Sequence, residues 1–394
     1  MSEEKILRPA AAISVIIMLI IVAVSFSMKQ NQEFANVTGT AVFKPGDAGE
    51  METADREKEA QEGIFAVFPG EKSEQILSRL GDKTIVIKKP ESVNQTTTVS
   101  FEEIAIEQKI VLHIEGIHTG ELSEDSIYRV NQDKIYYGET AAAEEDMIRL
   151  LNVAEEKKLD EEYAKAHITI TLDTNYAYEL YEDEGYYYIS LLRPKDKYDK
   201  IIVIDAGHGG NDPGTFSSGG QYYEKDINLS IVTYLLEYLK EDAIIKVYTT
   251  RTEDVLPTLK QRATLANNLE ADLFLSVHCN SNPNTSIQGM EVLYNEKQDG
   301  TSDFTSKDFA KVCLEHTNAR LALKDRGLVP RSTNVHIVGA ATMPVALVEV
   351  GFMSNPADLA VLSNEYYQKK AAEGLYEAVL DAFGRLEQRE KEDE

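Results

Sequence analysis

The sequence predicts an α/β fold over its C-terminal half: a mostly parallel, roughly six-stranded sheet flanked by helices on both faces, preceded by a small β-rich domain and an N-terminal transmembrane helix. Three observations carry this. From Lys200 onward, β-branched apolar runs such as Ile201 to Ile204 alternate with stretches of helical period, the pattern of a parallel sheet covered on both sides. Between Gly63 and Asp196, apolar residues alternate singly with polar ones, the period of half-buried strands. Between Ala10 and Met28 the only polar residues are Ser14, Ser25 and Ser27.

At 394 residues the chain has room for two domains and connections. The net charge of -27 argues against nucleic-acid binding, because phosphate contacts need clustered Lys and Arg and none stand out. Such acidity favours solubility rather than a specific partner. Cys279 and Cys313 cannot build a disulfide framework and match no C-x-x-C zinc pattern, so they are expected to be buried thiols.

In chain order, Lys5 and Arg8 precede the apolar span, which is long enough for a membrane helix of about 20 residues. The basic end would stay in the cytoplasm and everything after Met28 would be exported. A cleaved signal peptide is the alternative, with Ala23, Val24 and Ser25 as a small-residue cleavage site. Residues 1–29 are thus an anchor or signal, and the protein is expected at the cell membrane as a single-pass protein, or secreted. Residues 30–62 are polar and acidic and read as a flexible linker.

Residues 63–196 form the β-rich accessory domain, with strands at Thr84 to Ile87, Ile110 to Ile114, Lys134 to Tyr137, Ile168 to Leu172 and Tyr186 to Leu192. One helix is expected from Ala143 to Leu159, where Met147, Leu150, Leu151 and Ala154 recur at helical spacing. Its tyrosines could stack on sugars, but tyrosines are also ordinary strand residues. Solvated or hydrogen-bonded histidines are commonplace, so His113, His118 and His167 receive no function.

Residues 197–386 carry the α/β pattern, and 387–394 a charged tail expected to fray. Helices are expected over Asp226 to Lys240, Thr258 to Asn268, Phe304 to Leu323 and Asn364 to Phe383, with another opened by Ser354, Asn355 and Pro356. Strands are expected at Ile201 to Ile204, Ile244 to Thr249, Leu273 to Val277, Met290 to Tyr294, Val335 to Val338 and Val345 to Val350.

Three of these strands run into polar residues: Ile201 to Ile204 toward His208, Leu273 to Val277 into His278, and Val345 to Val348 into Glu349. In open α/β sheets, chemistry collects beyond the carboxyl ends of the strands. Glu224 stands before the helix that follows the His208 loop. His208, His278 and Glu224 make the ligand set of a catalytic zinc with an open fourth position, and Glu349 would be the base such a site needs. Ordinary explanations remain open, since a histidine after a strand can be hydrogen-bonded core and a glutamate at a helix start can serve the helix dipole. Gly207, Gly209 and Gly210 match neither phosphate-loop pattern. Arg251 and Arg262 suit the fixing of loops and helices.

The blocks DAGHGGNDPG, YEKDINL, SVHCNS and MPVALVEVGFMSN resemble, in order and spacing, the zinc-dependent N-acetylmuramoyl-L-alanine amidases of bacterial cell walls. The resemblance covers about Lys200 to Phe383. It implies His208, Glu224 and His278 as Zn2+ ligands and Glu349 as the catalytic glutamate. It also implies peptidoglycan as substrate, with hydrolysis of the amide between N-acetylmuramic acid and L-alanine of the stem peptide. The β-rich domain resembles the wall-targeting domains of some amidases.

One departure stands out: Gly339 and Ala340 (IVGAATMP) replace an Arg-Asn pair frequent in the family, which bears on substrate contacts and strength of activity. Two rivals follow, a zinc peptidase acting within the stem peptide and a silent wall-binding or scaffold protein. Some relatives cover the site with a long helical insertion that a partner withdraws. Here Asn295 to Arg326 holds one helix, so the site is expected to be open, and no activator protein is identified.

Overall fold

The computed structural model describes residues 41–43, 65–67, 80, 83–131, 134–137, 146–157, 163–300 and 304–393. The apolar span Ala10 to Met28 and nearly all of residues 30–62 lie outside these. Among the described residues, no helix is long and apolar enough to cross a membrane. The chain divides into two compact units, one running to Arg193 without Ala105–Glu107, the other comprising Ala105–Glu107 and Pro194–Glu394.

The first unit holds β1 (Ala41–Phe43), β2 (Phe65–Val67), β3 (Lys83–Lys88), β4 (Thr98–Ile104), β5 (Lys109–His118), β6 (Ile127–Asn131), β7 (Lys134–Tyr137), β8 (Ile148–Glu156), β9 (Tyr163–Leu172), β10 (Ala177–Glu182) and β11 (Tyr186–Leu192). They form a five-stranded sheet, β1-β4-β5-β9-β8, and a six-stranded sheet, β2-β10-β11-β3-β6-β7. Ile85 and Ile87 of one sheet and Phe101, Leu112 and Ile168 of the other share one hydrophobic core.

The helix expected at Ala143 to Leu159 is instead strand β8 over its described part. The cause is a bulge: Ile148 pairs with Leu172, but Leu150 pairs with Thr171 and Leu151 with Ile170. The extra residue puts Ile148 and Leu151 on the buried side three positions apart and leaves Leu150 59% exposed. A bulged strand therefore imitates helical spacing.

The second unit contains α1 (Pro194–Lys197), β12 (Lys200–Ala206), α2 (Glu224–Leu239), β13 (Ile245–Thr249), α3 (Leu259–Asn268), β14 (Leu273–Asn280) and β15 (Met290–Tyr294). It continues with α4 (Ser306–Leu321), β16 (Asp325–Pro330), α5 (His336–Ala340), β17 (Val345–Phe352), α6 (Pro356–Leu362) and α7 (Glu365–Asp393). Its six strands lie in the order β13-β12-β14-β17-β15-β16. Every pairing is parallel except β15 with β17, so the sheet is mixed but mostly parallel.

Local chemistry explains the helix starts. Thr258 caps α3 and Thr305 caps α4, each in a capping box. Asn355 caps α6 with Pro356 in its first turn. Phe309, Val312, Cys313 and Leu321 of α4 are buried, and the helix packs on β15, β17 and α7. Both cysteines are free and buried.

Three local expectations need correction. Val335 to Val338 is not a strand but leads into α5, where Ile337 and Val338 are buried consecutively; so short an apolar run cannot be told from a helix by period. Strand β16 was not expected from DRGLVP, whose Asp, Gly and Pro disfavour strands; it is tolerated because β16 is an edge. The charged run after Phe383 continues α7 to Asp393, since Glu, Gln, Lys and Arg are good helix formers.

Candidate metal centre and active site

Strands β12, β14 and β17 are adjacent and parallel, so their carboxyl ends deliver residues to one rim. His208 lies two residues beyond β12, and His278 and Glu349 are register partners inside β14 and β17. Strand β14 runs three residues past its expected end at Val277, so His278 is a strand residue rather than a loop residue. Glu224 opens α2. The sheet thus brings together all four residues singled out from the sequence.

His208 has φ 60, a left-handed conformation uncommon for a residue with a Cβ. Two buried arginines hold the loop there. Arg251 donates to the carbonyls of Ala206, Gly207 and Lys225, and Arg262 donates to those of Ala206 and His208. Arg262 is itself paired with Asp205, whose carboxylate also accepts from Thr250 Oγ1 and Ser276 Oγ, both at 2.6 Å. Burial alone would raise the pKa of Asp205, but Arg262, His278 and the two hydroxyls hold it below the usual carboxylate range. Gly207 is required by close approach, since a Cβ there would fall 2.3 Å from the His278 imidazole.

Glu224 Oε1 lies 3.2 Å from His208 Nε2 and 2.9 Å from His278 Nδ1. Its carboxylate is fixed by backbone donors, Thr215 N on Oε2 at 2.8 Å and Cys279 N on Oε1 at 3.1 Å. The second nitrogen of His208, Nδ1, stands 2.7 Å from Asp212 Oδ2. Three donor atoms, one from each residue, lie within 4.8 Å of one another.

This donor set fits a metal. Two ligand atoms on a tetrahedral ion with bonds of ~2.0–2.1 Å sit about 3.3 Å apart, close to the spacings of Glu224 from the two imidazoles. The electrostatics agree. Burial would lower the pKa of His208, yet Glu224 and Asp212 push it up to about 9. Burial would raise Glu224, yet the two histidines hold it far below the carboxylate range. The site therefore stabilises a positive charge at its centre.

Glu349 is half-buried, and its Oε2 is buried without a hydrogen bond. Its pKa is pushed up to about 7, first by burial and then by the charges of Glu224 and Glu291, with the histidines acting in the opposite sense. Glu291 is its register partner on β15. A carboxyl poised near neutrality beside a metal-competent cluster can accept and return a proton.

Several contributors escaped the sequence reading: Asp212, Thr250, Ser276, the Asp205–Arg262 pair as the support of His208, and Asn228, whose Nδ2 donates to the Gly207 carbonyl and to Glu224 Oε1. Asp212, four residues after a candidate ligand in a turn, was the one with a usable signal. Gly339 and Ala340 are the last two residues of α5. Asn267, at the end of α3, donates to the Ala340 carbonyl, which places both residues before the amino end of β17, whereas Glu349 lies four residues into that strand. A Cβ on Gly339 would sit 2.0 Å from the Ser332 carbonyl oxygen, so this backbone admits only glycine there.

Residues 202–381 match the family described as N-acetylmuramoyl-L-alanine amidase. The chain is 33% identical over 180 residues to the uncharacterized protein YqiI of Bacillus subtilis (strain 168), covering 46% of this chain and 83% of that protein. It is 31% identical over 199 residues to the germination-specific N-acetylmuramoyl-L-alanine amidase of the same organism, covering 47% of this chain and 80% of the relative. The solved catalytic domain of CwlV, an N-acetylmuramoyl-L-alanine amidase from Bacillus (Paenibacillus) polymyxa var. colistinus, is 34% identical, with a TM-score of 0.44 and coverage of 47% of this chain and 98% of that one.

Proposed function

The chain belongs to the N-acetylmuramoyl-L-alanine amidase family, and from that premise we propose that it hydrolyses peptidoglycan with zinc held by His208, Glu224 and His278 and with Glu349 as the catalytic base. The bond cleaved is the amide between N-acetylmuramic acid and the L-alanine of the stem peptide. The observation that carries the assignment of roles is the Glu224 carboxylate set between two imidazoles, with Glu349 in register beside one of them.

Zinc at this position would supply Lewis acidity, polarising the amide carbonyl and acidifying water next to it. The protein residues do the rest. Asp212, at Nδ1 of His208, would fix that ring so that Nε2 is its ligating nitrogen. Glu349 Oε2, unencumbered by any hydrogen bond, takes the proton from the attacking water and returns it to the departing alanine nitrogen. The negative charge of Glu291 beside it keeps its proton affinity high enough for that return.

Mass spectrometry of a peptidoglycan digest tests this function. The zinc-loaded full chain is expected to release intact stem peptides beginning with L-alanine from unbroken glycan. Cuts inside the stem peptide would make it a zinc peptidase, and no release would make it a wall-binding protein.

The apolar span Ala10 to Met28 supports a location at the cell membrane, with the hydrolase outside the cytoplasm. Carbonate-washed membranes are expected to retain the protein. A soluble form beginning near Phe26 would mean a cleaved signal peptide instead.

A further inference from the structure

Hydrolysis uses none of the histidines of the first unit, yet two of them are placed with unusual economy. His113 on β5 and His167 on β9 are directly opposed register partners. Their Nδ1 atoms stand 2.6 Å apart, with rings T-shaped at 4.8 Å and 84°. On the outer sides, His113 Nε2 lies 3.5 Å from Glu102 Oε2 on β4, and His167 Nε2 lies 3.6 Å from Glu156 Oε2 on β8. A Glu–His–His–Glu row thus crosses four adjacent strands. The flanking residues Leu112, Ile114, Ala166 and Ile168 are buried, so the row occupies the opposite face of the sheet.

Two ring nitrogens at 2.6 Å cannot both carry a proton, so at least one offers a bare lone pair toward the other. As they stand the rings share one proton, with the Glu102 carboxylate 3.5 Å behind His113 and that of Glu156 3.6 Å behind His167, whose Nε2 is buried without a hydrogen bond. A histidine that ligates a metal through one nitrogen characteristically gives the other N–H to a carboxylate. The ring geometry also matches that of the candidate ligands His208 and His278, which are T-shaped at 4.9 Å and 78°.

We propose that His113 and His167 form a second metal site, binding a late first-row divalent cation of the Zn2+, Ni2+ and Cu2+ class through their two Nδ1 atoms, with Glu102 at Nε2 of His113 and the Nε2 of His167 within a short side-chain adjustment of Glu156. Imidazole pairs select this class, whereas Mg2+ and Ca2+ require oxygen donors. Opening the nitrogen separation toward the ~3.3 Å of a tetrahedral site takes a small rotation of the rings. Burial lowers the pKa of His113, which favours its neutral, ligating form. Lys165 opposes the cation, but Glu115 and Glu156 are its register partners on either side. No carboxylate stands between the rings as Glu224 does at the other centre, so water completes the coordination and binding is weaker there. An occupied site would tie β5 to β9 and stabilise the first unit by mass action.

Calorimetric titration of the full chain with Zn2+ tests this independently of hydrolysis. The unaltered protein is expected to take up two ions, the second more weakly. His278→Ala is expected to keep only the weaker one, and His278→Ala with His167→Gln to keep neither. One ion per unaltered chain, or weaker binding that survives His167→Gln, overturns the proposal. A second measurement needs no variant: Zn2+ is expected to protect His113 and His167 from diethyl pyrocarbonate, read by peptide mass spectrometry. Equal modification with and without Zn2+ overturns it as well.

Discussion

His278 and Glu349 are register partners on adjacent parallel strands, so their side chains share one face of the sheet. The first ends 2.9 Å from the Glu224 carboxylate, while the second has a buried oxygen, Oε2, with no hydrogen bond. Neighbours so placed can still hold different jobs. His278 faces a donor set, and Glu349 faces unfilled proton-accepting capacity at a pKa raised to about 7.

In the proposed site Asp212 would act on zinc through His208, whose Nδ1 it contacts at 2.7 Å. Asp212→Ala is expected to lower zinc affinity by about 10-fold to 100-fold, the usual effect of removing a carboxylate behind a ligating histidine, while activity at saturating zinc largely returns. Chelator competition measures the affinity. An unchanged affinity would mean that Asp212 serves only its own turn.

Arg262→Ala leaves Asp205 buried without its charge partner and removes one of two donors from the Ala206 carbonyl and the Arg262 donor from that of His208. A loss of about 3–5 kcal/mol of stability is expected, as for breaking a buried ion pair, and denaturant unfolding reads it. The pH dependence has a definite sign. Because Asp205 is depressed in the folded state, its contribution is full above its unfolded value of about 3.9 and is lost as pH falls through its folded value. Acid should therefore narrow the gap between the two proteins.

Glu291→Gln should move the acid limb of the pH–rate profile. Glu349 must be ionised to act as a base, so activity falls below its pKa. The charge of Glu291 is one of the causes that raise that pKa, so removing it lowers the value, and a bound cation would act in the same direction. The limb is expected at lower pH than in the unaltered protein. A shift toward higher pH would show that another group controls it.

Phe216 and Tyr223 are bridge partners in the hairpin leading to Glu224, 59% and 41% exposed. Thr215, beside Phe216, donates to Glu224 Oε2. Exposed rings tied to the His208, Glu224 and His278 cluster suit the apolar faces of sugar rings. Phe216→Ala with Tyr223→Ala is expected to raise KM for glycan fragments roughly tenfold, the ~1.4 kcal/mol of a partly buried ring face, with zinc content unchanged. An unaltered KM would remove the hairpin from substrate binding.

Much of the second unit was legible in the sequence because each buried parallel strand is a continuous apolar run, and an interruption by His278 or Glu349 is conspicuous against it. The supports of His208 were not legible. The hold of Arg262 on Asp205 and the His208 carbonyl joins residues more than 50 positions apart, a relation that no local period records. In the first unit, the bulge at Ile148 and Leu150 turned a strand into an apparent helix. The pairing of His113 with His167 depends on the register of β5 against β9, which only the folded sheet provides.

The most direct measurement is the zinc content and peptidoglycan-hydrolysing rate of Glu349→Gln beside those of His278→Ala. Glu349→Gln keeps the shape of the side chain but cannot accept the proton. It is expected to retain zinc at the catalytic centre while losing roughly 100-fold to 10,000-fold in rate, the range of a general acid or base. His278→Ala is expected to lose zinc from that centre and activity together. A folded Glu349→Gln protein that has lost this zinc, or one that keeps both zinc and full activity, would contradict the assignment of Glu349 as the base.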